Sequence, residues 1–218
     1  MPNNNASKVE TCNLAIGYIG HGVQIADFDE DSKEAAACRT FYEPTLKQLF
    51  RMAHWPFATK LATLTLVENN PNDEWFYSYR YPVDCVDFRR ILSGRFPDDR
   101  QSQIAYRIAK DSDGKLIFTN RENAVCEYTE YVDDPTFYNY DFIDAHALLL
   151  STRLIPQFVS GDRKKIRQEN YAMFQDAIQV ALANAINEEQ NFEEPQAESV
   201  RARGLYISED ETRIYTNN

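Results

Sequence analysis

The chain has 218 residues, a formal net charge of −11, 43% apolar residues and 13% aromatic residues. That length buries a sizeable core and that composition is globular, which excludes a disordered chain. The acidity argues against direct wrapping of nucleic acid, which takes clustered Lys and Arg. No run of about eighteen apolar residues occurs and the first ten residues, MPNNNASKVE, hold no apolar signal segment, so the expected location is the cytoplasm of the cell that makes it, without membrane association.

Residues 8–18, KVETCNLAIGY, predict a short helix with Cys12, Ala15, Ile16 and Ile19 on one side. Gly17, Gly20 and Gly22 come next. No strand precedes them and no Lys-Ser or Lys-Thr pair comes after, so they read as a helix stop and turn and not as a phosphate-cradling loop.

The stretch Asp29–Ala58 predicts one long amphipathic helix. Asp31 with Glu34 three residues later fits a capping box. Ala35, Cys38, Tyr42, Thr45, Leu46, Leu49, Met52 and Ala53 repeat at the spacing of a buried helix face. Pro44 lies inside that stripe and predicts a kink, because it lacks an amide donor and clashes with the carbonyl four residues back. The helix should end by His54, since Pro56 drives Trp55 out of helical geometry. Trp55, Pro56 and Phe57 are therefore the expected structural anchor between this helix and the strand-like region after it.

Residues 57–137 carry strand signals. Leu61–Val67, Trp75–Tyr81, Cys85–Leu92, Gln103–Ala109, Lys115–Thr119 and Ala124–Val132 predict six short strands, with an Asp-Gly hairpin turn at Asp113-Gly114. Together they predict an antiparallel sheet or small sandwich. The many aromatics fit stacking on bases or sugars, but ten basic against fourteen acidic residues in this region leave packing as the better reading.

Helices return at 138–160, apolar nearly all round with His146 as a packed histidine, and at Arg163–Asn187. The second has Ile166, Asn170, Met173, Phe174, Ala177, Val180, Ala181 and Ala185 on its expected inner side. The cations Arg163, Lys164, Lys165 and Arg167 stand at its start and read as a solvated face. The overall expectation is an α+β body over residues 1–190: a helical bundle formed by 8–56 and 138–189, with 57–137 inserted as β structure. Residues 191–218 read as an extended docking arm, holding Arg201, Arg203, Leu205, Tyr206, Ile207, Arg213, Ile214 and Tyr215 as interface residues.

Catalytic motifs are absent. There is no GxSxG and no HExxH, Cys12, Cys38, Cys85 and Cys126 form no CxxC pair, and His21, His54 and His146 are scattered. No catalytic residue, metal site or cofactor is expected. The alternative is a cellular hydrolase or transferase whose site is dispersed over the β insertion.

Five segments, in this order, resemble the tail tubular protein A family of short-tailed bacteriophages, the head-to-tail adaptors or connectors. They are Asn13–Gly17, Asp29–Glu34, Tyr42–Pro44, Trp55–Ala58 and Tyr81–Cys85. The resemblance spans roughly residues 8–187. It implies a non-enzymatic structural protein of the virion neck, present in the host cytoplasm before assembly. It also implies a homo-oligomeric ring, twelve copies by that resemblance, between the portal protein and a tail nozzle similar to tail tubular protein B. Genomic DNA would pass through its lumen without sequence-specific binding.

Overall fold

The structure is a computed structural model and describes residues 4–94 and 104–188. It is α+β. Helix α1 (Asn4–Tyr18) and helix α2 (Lys33–Phe50) lead into seven strands: β1 (Thr59–Thr63), β2 (Leu66–Asn69), β3 (Tyr77–Arg80), β4 (Cys85–Ile91), β5 (Tyr106–Lys110), β6 (Lys115–Thr119) and β7 (Val125–Glu130). Helices α3 (Tyr140–Phe158) and α4 (Arg163–Glu188) complete the order. The β insertion therefore falls where the change of sequence period places it. Among the described residues no helix is long and apolar enough to cross a membrane.

Helix α1 buries Cys12, Ala15, Ile16 and Ile19. It stops as a glycine C-terminus should: His21 N–H reaches the Ile16 carbonyl, Gly20 N–H reaches that of Gly17, and Gly20 has φ +70°.

Helix α2 starts one residue later than the capping-box reading. Ser32 is the N-cap, its Oγ accepting from Ala35 N–H at 3.1 Å. Glu34 turns instead to His21, 3.0 Å away, while Glu30 accepts from Ser32 Oγ and from the amides of Ala26 and Asp27. The buried stripe is Ala35, Cys38, Tyr42, Thr45, Leu46 and Leu49, joined by Ala37 and Phe50. Met52 is exposed because the helix ends at Phe50. Helical structure runs through Pro44 without interruption. Helix α3 is buried nearly all round. Helix α4 turns the expected side inward: Asn170, Phe174, Ala181 and Ala185 are buried together with Ile178, and Ile166 and Ala177 pack partly against the core, whereas Met173 and Val180, at the margin of the expected stripe, are about half exposed. Asn170 fixes this rotation by donating to Ser151 Oγ (2.9 Å) and to the Tyr18 carbonyl (3.2 Å), so one buried amide ties α4 to α3 and α1.

The strands form two antiparallel sheets, ordered β1-β7-β4 and β2-β3-β6-β5. The predicted single strand Leu61–Val67 is two strands, one in each sheet. Leu64 lies between them, 5% exposed, with its N–H on the Ala124 carbonyl at 2.8 Å. Burying Leu64 between the sheets turns the chain from one to the other.

Two cores result. One lies in the bundle and takes in Trp55, Ala58 and Tyr138. The other is enclosed by both sheets and holds Leu64, Tyr79, Phe88, Ile91, Ile117, Ala124, Cys126 and Tyr128. Strand β7 alternates accordingly: Cys126 and Tyr128 point into the sheet core, and Tyr131 just beyond it packs on the bundle.

Candidate functional site

The place where most of the chain's distinctive residues meet is the joint between α2 and β1. After Phe50 the chain turns through Arg51–Ala53, and Pro56–Ala58 forms one 3₁₀ turn with the proline at its start. Trp55 is 2% exposed, and its indole N–H donates to the Leu49 carbonyl at 3.1 Å, capping the frayed end of α2. Its ring stands edge-on to Phe142, 4.8 Å between centroids, and Phe57 does the same at 5.0 Å. Phe50 and Tyr138 complete the cluster. The exit from the β insertion has the same build as its entry: Pro135–Phe137 is a second proline-led 3₁₀ turn, capped by Asp134 accepting from Thr136 N–H. Entry and exit are thus clamped together by edge-on and tilted aromatic rings. The expected anchor, Trp55, Pro56 and Phe57, is brought together there. Trp55 is buried, and Pro56 and Phe57 are half-buried.

A polar layer covers the sheet side of the joint. Glu127, on the central strand β7, accepts from Arg90 (2.7 Å) and lies 3.2 Å from His54 Nε2. These two partners, His54 first, hold its carboxyl down to about 2 against the cost of burial. Thr59 Oγ1 is 3.2 Å from the same His54 nitrogen. Arg89 binds the Ala53 carbonyl and Thr129 Oγ1. Paired in this way, the Glu127 carboxylate and its partners fasten strands β4 and β7 to the helix end. One residue further along β1, Lys60 joins Asp84 (2.5 Å) and Glu130 (2.7 Å), and Tyr128 donates to Asp84 at 2.9 Å.

The segments that carry the family resemblance all hold positions of this structural kind. Asn13 exchanges two hydrogen bonds of 2.9 Å with the backbone of Ile25. Glu30 organises the turn before α2. Tyr42 packs on His146 and Phe28. Asp84 receives Tyr128 and Lys60, and Cys85 contacts the Tyr81 hydroxyl at 3.2 Å. His146 is buried against Thr45 Oγ1 (3.0 Å) and the Tyr42 carbonyl (3.3 Å), and burial lowers it to about 4, so it is a neutral core histidine. Among the described residues no group of three or more His, Cys, Asp or Glu could hold a metal ion.

Sequence reasoning missed the polar layer. Glu127, Arg90 and His54 are far apart in the chain, and only the β4–β7 register, with Arg90 opposite Glu127, joins two of them. The expected interface residues Arg201, Arg203, Leu205, Tyr206, Ile207, Arg213, Ile214 and Tyr215 lie outside the described residues. No protein-family model and no curated protein matches the chain.

Proposed function

We propose that this is a non-enzymatic virion protein, a head-to-tail adaptor that forms a ring between the portal and the tail nozzle of a short-tailed bacteriophage. One observation carries the reading. The segments that resemble the adaptor family occupy the contacts that define this fold: the Asn13 clamp, the turn around Glu30, the Tyr42 packing, the Trp55–Phe57 joint and the Asp84 corner. A resemblance carried by fold-defining residues is one of architecture, and the architecture is a bundle with a β insertion between its second and third helices. The acidity of the chain suits a channel wall past which DNA slides without sticking. The arm, 191–218, is the proposed tether to the portal.

Mass spectrometry of purified particles and imaging of their necks test the reading. The chain should be a stoichiometric component located between portal and nozzle, and its absence from mature particles would end the proposal. Deleting 196–218 should leave a folded body that no longer joins the portal.

A further inference from the structure

The four-stranded sheet has two edges among the described residues, β2 on one side and β5 on the other. Its register runs across all four strands in rows. One row is Leu66, Tyr79, Ile117, Ile108. Its central members are 2% and 0% exposed, yet the aliphatic residues at its two ends are each 46% exposed. The next row, on the opposite face, is Glu68, Ser78, Phe118, Arg107. It begins with an acid at one edge and ends with a base at the other. All four residues of β2 are exposed, and β5 carries Arg107 and Lys110 with no acid. Among the described residues Arg107 pairs only with Glu74, at 3.7 Å, with both side chains about two-thirds exposed, an arrangement of little energetic value.

We propose that β5 of one copy pairs antiparallel with β2 of the next, so that one sheet continues from chain to chain. The strands alternate in direction and are four in number, so β2 and β5 run opposite ways, and a copy displaced along the sheet in the same orientation presents its β2 antiparallel to β5. In that arrangement Ile108 lies beside the next copy's Leu66 and Arg107 beside its Glu68. The half-exposed ends of the apolar row then cover each other, and the charged row closes on opposite charges. The two symmetric alternatives are worse. Joining β5 to β5 brings only bases, Arg107 and Lys110, to the seam, and joining β2 to β2 brings only an acid, Glu68. The contact is therefore head-to-tail, which closes into a ring or runs on as a filament. The inference deepens the adaptor reading and rests on it for closure into a ring.

Cysteine trapping of the full chain tests the contact. A chain carrying both Leu66→Cys and Ile108→Cys, under mild disulfide oxidation at high concentration, should give a ladder of trimers and larger species on a non-reducing gel. Mixing the two single variants should give dimers, while each alone should match the unsubstituted chain. Dimers from either single variant alone, or no species beyond the unsubstituted control, would overturn the proposal. Glu68→Arg or Arg107→Glu should each weaken the ladder, and the two together should restore it, with circular dichroism unchanged throughout. If both single charge variants enter particle necks at the normal level, the edge contact fails and the adaptor reading stands. If the chain is absent from particles, the adaptor reading fails whatever the ladder shows.

Discussion

Trp55 stands edge-on to Phe142 with 4.8 Å between ring centroids, and this contact closes the β insertion onto the bundle. Trp55 leads into the insertion and Phe142 belongs to the first helix after it, so the pair shortens the loop formed by the whole β region to one aromatic contact. Trp55→Ala removes that contact, leaves a large cavity and takes one donor from the Leu49 carbonyl, which keeps the Met52 N–H. The expected cost is about 3–5 kcal/mol. Urea unfolding measures it, and a loss below about 1 kcal/mol would show that the ring is not an internal anchor.

Asn13 and Ile25 form a smaller clamp of the same kind. The Asn13 amide gives one hydrogen bond to the Ile25 carbonyl and takes one from its N–H, as a neighbouring strand would. Ile25 is 3% exposed, so its backbone has little water to turn to. Asn13→Asp keeps the acceptor and loses the donor; Asn13→Leu loses both. Leu should be the more damaging, at about 1–3 kcal/mol, with Asp smaller at neutral pH. Equal effects from the two substitutions would rule out the reciprocal bond.

Ser32 is the N-cap of α2, through a 3.1 Å bond from Ala35 N–H. Ser32→Ala should cost about 1 kcal/mol and Asp31→Ala markedly less. Thermal unfolding of the two variants discriminates them, and the reverse order would return the cap to Asp31.

The elements were legible where period and punctuation agree. Helix α3 reads as buried from its unbroken apolar run, and the Asp113-Gly114 turn marks the β5–β6 hairpin. Legibility failed where a tertiary contact overrides a local pattern. Leu61–Val67 alternates well enough for one strand, but the sheet core takes Leu64 and splits it. On α4 the expected side faces inward, but Met173 and Val180 at the margin of its stripe stay about half exposed, because Asn170, held by two long-range hydrogen bonds, centres the buried face on itself, Phe174 and Ile178. Asn170, a polar residue within that apolar stripe, marks the centre of the face, because a buried amide must find partners. Of the joint, Trp55-Pro56-Phe57 was readable from proline and aromatic chemistry. Its polar cover was not, since Glu127 meets Arg90 through strand register and His54 through the turn after α2, neither of which a single sequence encodes locally.

Acid should lower the stability of the fold in two separable pH windows. His146 is buried and held near 4, below its ordinary 6.5, by loss of hydration. The unfolded chain binds that proton first. The contribution of neutral His146 is therefore present above pH 6.5 and is lost as pH falls from 6.5 towards 4, at up to about 1.4 kcal/mol per pH unit. Glu127 is held at about 2, below its ordinary 4.5, chiefly by His54 and then by Arg90, with burial opposing. Its contribution is present above pH 4.5 and is lost as pH falls from 4.5 towards 2. Unfolding free energy against pH separates the two groups. His146→Phe should flatten the slope between pH 6.5 and 4.5 and leave the lower window steep. Glu127→Gln should lower stability at neutral pH, where the carboxylate holds Arg90, and flatten the slope below pH 4.5. A His146→Phe variant that keeps the full upper slope would mean that the imidazole titrates normally in the folded chain.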